Sequence, residues 1–166
     1  MKIKLIIGLG NPKGKYERTY HNAGFLFIDY LVKSPRISSF KHPLSALFKT
    51  DAHMNFSGGF VKKALKKYKV NPEELLIVHD DSDIELGKYK ISFNRGAAGH
   101  KGVESIIKSL GAKNFWRLRL GIKHEPIRTA RGPVRKKAID FVLKKINKKD
   151  FEILENAFQN AANFLP

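Results

Sequence analysis

From Ile3 to Leu9 the chain runs "IKLIIGL", almost without a polar break, and then passes into glycine, proline and lysine. A continuous apolar run closed by turn residues predicts a strand buried on both faces of a sheet. The period then changes. Phe25, Ile28, Leu31 and Val32 recur at helical spacing behind Asn22, a candidate cap. A second helical face, Val61, Ala64, Leu65 and Tyr68, starts at Ser57 or Gly58 and has lysines opposite. "NPEELLIVHDD" (71–81) predicts a turn and another buried strand, and "GKYKISF" (87–93) a strand alternating in its polar positions. "NRGAAGHKG" (94–102) is a glycine-rich loop feeding a helix with Val103, Ile106, Ile107 and Leu110 on one face and Gly111 as its stop. "FWRLRLGI" (115–122) predicts a strand in which Arg117 and Arg119 alternate with apolar neighbours. Helical patterns return at 138–146 and 149–164, after a basic, proline-interrupted loop at 124–137. Residues 34–53 show no readable period. Strands interleaved with helices indicate an α/β fold with a largely parallel or mixed sheet.

The 166 residues are the size of one domain, so 1–166 is read as a single unit. With 42% hydrophobic residues the chain is globular, and no apolar run approaches the roughly 20 residues of a membrane helix. The N-terminal apolar stretch is too short for a secretion signal. The absence of cysteine excludes disulfides, thiolate zinc sites and a cysteine nucleophile, and fits an intracellular chain. Charge changes the picture most: 32 Lys+Arg against 15 Asp+Glu gives +17. A domain this basic is expected to bind a polyanion, nucleic acid first among them, because each neutralised phosphate releases counterions.

The loop after the first strand, "GLGNPKGKYERTYHNAG" (8–24), resembles a nucleotide cradle at first sight. It fails both patterns. A dinucleotide fingerprint would need glycine where Lys13 stands; an ATP/GTP loop would need glycine at Leu9 and Ser or Thr at Tyr16. Other groups must explain it, and polar residues at strand ends are where α/β sheets build sites. Asn11 follows the first strand; His79, Asp80, Asp81 and Asp83 follow "LLIV"; His21 and Asn55 precede helices; His100 sits in the second glycine loop. A histidine beside an aspartate from another strand end suggests an imidazole held in one tautomer as a general base. Carboxamides nearby can donate to an oxyanion or hold a water. No G-x-S-x-G elbow is present, which favours direct attack by water over an acyl-enzyme. Asp80, Asp81 and Asp83 match no calcium loop, and no histidine pair is spaced for zinc, so no metal or other cofactor is expected. Taken singly each residue has a plain structural alternative: His21 as a helix-start residue, Asn11 as a turn former, His79 as a core histidine.

Taken together, "GLGNPKGKYERTYHNAG", "MNFSG", "VHDDSDIELGKYK", "GAAGHKGVESIIKSLG" and "FWRLRLGI" resemble, in order and spacing, the bacterial-type peptidyl-tRNA hydrolase family, over residues 3 to about 160. The resemblance implies a small monomer with a mixed twisted central sheet flanked by helices on both faces. It implies metal-free hydrolysis of the ester joining a peptide to the terminal ribose of tRNA, in the cytoplasm or an organelle interior. By position it makes His21 the catalytic base and Asp80 the carboxylate that orients it. Asn11 and Asn55 position the peptide and the water, Tyr16 lies beside the site and His100 on its rim. Arg119, with Lys88 and Lys90 near it, would bind tRNA phosphate. Three positions depart from the family pattern. Lys101 stands where the family has asparagine and would lie against the substrate; His53 stands for an aromatic residue, and Ser92 for a lysine. The alternative reading is a non-catalytic RNA-binding relative of splicing-factor type.

Overall fold

The computed structural model describes residues 2–12, 14–34, 46–125, 127–129, 132–134 and 140–165. The basic loop read at 124–137 lies partly outside them. A sheet of five strands is built from β1 (Leu5–Gly8), β2 (Ala46–Lys49), β3 (Leu75–Glu85), β4 (Tyr89–Phe93) and β5 (Trp116–Lys123), in the order β2-β1-β3-β5-β4. β2, β1, β3 and β5 are parallel, and β4 closes the edge antiparallel to β5, so the sheet is mixed as expected. β6 (Ile127–Thr129) and β7 (Gly132–Val134) form a separate hairpin.

The uninterrupted apolar strands are explained by helices on both sides. Leu5, Ile7, Leu75 and Ile77 face α2 (Ser57–Tyr68) and α3 (Lys101–Leu110), meeting Val61, Leu65, Val103 and Ile106. Ile6, Leu76, Val78, Leu118 and Leu120 face α1 (Ala23–Lys33) and α4 (Lys148–Ala162), meeting Phe27, Leu31, Leu154 and Phe158. Side chains alternate between faces along a strand, and each face here has its own core.

The glycines of the opening loop serve packing. A Cβ on Gly24 would meet the carbonyl oxygens of Val78 and Leu9, and one on Gly8 would meet the Gly24 carbonyl and Ile28. The first turn of α1 therefore presses directly onto the end of β1 and the adjacent middle of β3, which brings the residues before it beside Asp80.

The structure corrects four readings. Ala46–Lys49 is a strand inside the stretch read as irregular; its four residues are too few to display a period, and all are half-buried at a sheet edge. Residues 140–146 are turns and a bridge rather than a helix, because the apolar Phe141 and Ile146 that suggested a helical face pack into the core from a turn. Asn22 does not cap α1 with its side chain, which is used elsewhere. Neither Ser57 nor Gly58 caps α2: the Ser57 hydroxyl donates to the Met54 carbonyl, and the Gly58 N–H donates to Ser105 Oγ.

Candidate active site

The turn before α1 carries His21, and the far half of β3 carries Asp80. Two peptide carbonyls and a glycine contact bring them together, and His21 Nδ1 lies 2.9 and 3.0 Å from the two Asp80 oxygens. His100, at the start of α3, approaches from the other side with Nε2 3.0 Å from Asp80 Oδ1. Sequence reasoning paired His21 with Asp80; it placed His100 on the rim, whereas the structure puts it on the same carboxylate.

The hydrogen-bond pattern assigns protons. His100 Nδ1 accepts the Val103 N–H at 3.3 Å as the cap of α3, so its proton sits on Nε2 and is donated to Asp80. A carboxylate only accepts, so His21 Nδ1 also carries a proton toward it. That leaves His21 Nε2 as a lone pair; it bonds to no described residue. Burial disfavours the Asp80 anion, but the two imidazoles offset this by charge and by hydrogen bonding and hold the carboxyl far below its ordinary range. At His21 burial works against the cation, and the attraction and hydrogen bond of Asp80 outweigh it, so the imidazole titrates above its ordinary value. His79, fully enclosed beneath, is pushed well down by burial first and then by His100. It bonds the Asp80 carbonyl through Nδ1 at 2.6 Å, which fits the structural role read for it.

The carboxamides divide. Asn11 is buried: its N–H donates to Asn22 Oδ1 at 2.8 Å, Asn22 Nδ2 donates to its carbonyl at 3.0 Å, and its own Oδ1 accepts the Met54 N–H at 2.8 Å. The carboxamide orientation is thus fixed, with Nδ2 the group left to donate. Asn55 is exposed on the next turn. Tyr16 packs edge-on against His53 at 6.1 Å between centroids, on the outer side of the same corner.

A cleft of about 350 Å³ opens on this corner, lined by His21, Asp80, Ser82, Ala98, His100 and Lys101 among others. The wall at Ser82–Ile84 follows from an irregularity in the ladder. Asp81 pairs with Gly121 and Glu85 with Lys123, so β3 advances four residues while β5 advances two, and the surplus bulges beside the site. Hollows of about 600 and 630 Å³ around Arg18 and Phe151 contain none of His21, Asp80 or His100.

The cations sit along β4, β5 and the cleft lip. Arg119 Nε donates to Asp81 Oδ2 at 2.7 Å, so this residue is held by a carboxylate rather than standing free. Lys90 is exposed and pairs in register with Arg119. Lys88 is ion-paired with Glu85 at the surface. Lys101 lines the cleft but reaches Glu104 at 3.0 Å. Sequence reasoning gave no role to Arg117, 2% exposed with Nε unpartnered among the described residues; it read Asn22 as a helix cap rather than the partner of Asn11, and did not pair Asp81 with Arg119. The strand alternation of Arg117 was visible, but its burial was not.

The ligand atoms of His21, Asp80 and His100 lie within 4.8 Å of one another, which invites a test as a metal site. The set does not suit one. Ligation through His100 Nε2 would move its proton to Nδ1, against the Val103 N–H that Nδ1 accepts.

Comparison with known proteins follows the same lines. A family model described as peptidyl-tRNA hydrolase matches residues 5–166. The peptidyl-tRNA hydrolase of Aquifex aeolicus is 36% identical, covering 99% of this chain and 89% of that protein. That of Mycoplasma mycoides is 34% identical over 98% of this chain and 91% of its own. The crystal structure of peptidyl-tRNA hydrolase from Acinetobacter baumannii aligns with a TM-score of 0.76 at 31% identity, over 98% of this chain and 86% of that one.

Proposed function

The chain belongs to the peptidyl-tRNA hydrolase family, a family of enzymes, and from that premise we propose that it cleaves the ester between peptide and tRNA by water activated at His21, without a metal. The observation that carries the mechanism is the His21–Asp80 pair with Nε2 unengaged at the cleft. Nε2 takes a proton from water as the oxygen attacks the ester carbonyl carbon. The imidazolium is stabilised by Asp80, and the proton passes to the departing ribose oxygen as the tetrahedral intermediate collapses. A positioned base contributes about 10²–10⁴-fold. Asn11 Nδ2 and the Asn55 amide are assigned to positioning the peptide and the attacking water, and donors preorganised toward a developing oxyanion add about 3–4 kcal/mol each. An ester is activated enough for these terms to suffice.

Selectivity for a peptidyl over a free aminoacyl ester follows from the same carboxamides, which match a peptide bond but supply no carboxylate to balance a charged α-amino group. Arg119, Lys88 and Lys90 are assigned to tRNA phosphates, Lys101 to the substrate side of the cleft and Tyr16 to the adjoining surface beside His53, while His100, with both ring nitrogens engaged, is assigned to the cleft wall that holds Asp80. Residues 1–166 are taken as one domain acting as a cytoplasmic monomer.

The test is release of N-acetyl-amino acid from N-acetyl-aminoacyl-tRNA by EDTA-treated protein, with unacetylated aminoacyl-tRNA and His21→Ala as controls. Cleavage of the acetylated substrate alone, lost in the variant, is expected. Binding of tRNA without cleavage would transfer the assignment to a non-catalytic RNA-binding relative. Activity abolished by EDTA would overturn the metal-free mechanism.

A further inference from the structure

Tyr20, immediately before His21, is 5% exposed, and its hydroxyl donates to Asp150 Oδ2. The same oxygen accepts from His124 Nε2 and Asn147 Nδ2, each at 2.8 Å, while the Asp150 N–H donates to Asn147 Oδ1 at 2.9 Å. One buried carboxylate thus ties together three parts of the chain: the His21 turn, the end of β5 and the first turn of α4. Burial alone would raise the Asp150 pKa, but its three donors outweigh it and hold the carboxyl below its ordinary value. The Tyr20 ring is packed edge-on between His124 and Phe141, with centroids at 5.2 and 6.0 Å.

None of these groups touches the cleft, yet all converge on the backbone that carries His21. The His21 N–H donates to the Val142 carbonyl at 2.8 Å, the Tyr20 N–H to Lys144 at 3.3 Å, and the Ile146 N–H to the Arg18 carbonyl at 2.8 Å. On the other side Asn22 is locked to Asn11. His21 therefore sits between two anchors, one facing the sheet ends and one facing α4. An apolar side chain would fill the Tyr20 site without the desolvation that a buried carboxylate entails. What the hydroxyl and the carboxylate add is a single fixed position.

We propose that Asp150, acting through the Tyr20 hydroxyl, is a positioning residue for His21, holding its imidazole where Nδ1 meets both Asp80 oxygens. The proposal rests on the reading of His21 as the base. Misplacing a reacting group by about 1 Å costs up to about 10²-fold, so a loosened anchor is expected to cost roughly 10-fold in kcat.

The test measures kcat and KM on N-acetyl-aminoacyl-tRNA for wild type, Tyr20→Phe, Asp150→Asn and the double variant, each well below its Tm. The His21 ring signals are followed by NMR in the same proteins. Each single variant is expected to lose about 10-fold in kcat with KM within twofold. The double should match the singles, because both lie on one path, and the His21 ring signals should move in each. Unchanged kcat, unchanged ring signals in Tyr20→Phe, or losses that multiply in the double would overturn the proposal. Should Asp150→Asn fail to fold, Tyr20→Phe decides alone, since it keeps the ring between His124 and Phe141. If wild type is inactive or His21→Ala retains the full rate, the base assignment fails instead. The ring signals would then still report whether Tyr20 places His21.

Discussion

The corner around Asp80 and the buried stretch of β5 handle charge in opposite ways. At the corner one carboxylate, 3% exposed, is shared by two imidazoles, and the proton on each has a stated acceptor. Along β5, Arg117 is as deeply buried but leaves Nε unpartnered among the described residues, and Arg119 is tied to Asp81. Burial lowers the Arg117 pKa, and the nearby charges of Arg119 and Arg95 lower it further, against the pull of Asp81. The corner is complete in itself, which suits the proton transfer proposed for His21. Two guanidinium groups here stand against one carboxylate, with Lys90 exposed on the neighbouring strand, and this excess of cation marks the region proposed to meet tRNA phosphate. Catalysis and binding should therefore separate when each region is disturbed.

The largest effect is expected from Asp80→Asn. Both imidazoles present N–H groups to Oδ1 and His21 also reaches Oδ2; an amide keeps one accepting oxygen, but it sets an NH₂ against the His21 N–H and removes the negative charge that both rings share. Turnover should fall by at least about 10²-fold, stability by roughly 3 kcal/mol, and tRNA affinity should stay within about twofold. Single-turnover kinetics, denaturant unfolding and filter binding check the three. Loss of affinity equal to the loss of rate would show that the two regions are not separate.

The pH profile probes the same corner. A general base at His21, as proposed, must be neutral to act, and the His21 pKa is raised, so the acid limb of kcat/KM should lie above the ordinary histidine value of 6.5, falling tenfold per pH unit below it. The stability contribution of the pair has the opposite sense at that end. The raised His21 contributes fully below 6.5, and its contribution disappears as pH rises through the folded-state pKa. The depressed Asp80 contributes fully above 3.8, and its contribution disappears as pH falls toward its folded-state pKa. The pair thus stabilises most between those two ordinary values, on the acid side of the activity limb. Urea midpoints against pH should show that offset, and Asp80→Asn should remove it.

Lys90→Ala tests the other region. Lys90 is exposed, so its loss should leave folding and kcat unchanged while tRNA binding weakens. The slope of log affinity against log salt should shrink by about one unit, the signature of one phosphate contact. A lowered kcat with the slope intact would place this lysine in the chemistry instead.

These two regions were legible in the sequence to different depths. The unbroken apolar strands and the helical periods of α1 to α4 carry the sheet and its two cores, because burial on both faces leaves a direct mark on composition. Their places at element edges made His21 and Asp80 candidates, but it was the resemblance of "HNAG" and "HDD" to the family's motifs that paired them. What escaped was whatever depends on a turn or a register. β2 is four half-buried residues without a period. The 140–146 turn imitates a helix because Phe141 and Ile146 are both buried. His100 joins Asp80 only because it caps α3, and Arg119 meets Asp81 across paired strands; neither spacing is written in one dimension. Tyr20 and Asp150 lie 130 positions apart, and no local pattern links them.

The smallest effect is expected at Lys101, where the boundary between the two regions is sharpest. Its chain lines the cleft, yet its ammonium turns outward to Glu104, and the pair is an exposed i,i+3 contact worth at most a few tenths of a kcal/mol. Nothing in the His21–Asp80–His100 hydrogen bonds passes through it. Lys101→Asn should therefore change kcat by less than about threefold, and shift tRNA affinity by no more than one surface charge allows. A collapse of turnover in this variant, with affinity kept, would mean that the lysine swings from Glu104 to the substrate during the reaction. The proposed acid–base corner would then extend across the cleft, and its proposed separation from the tRNA-binding strands would no longer hold.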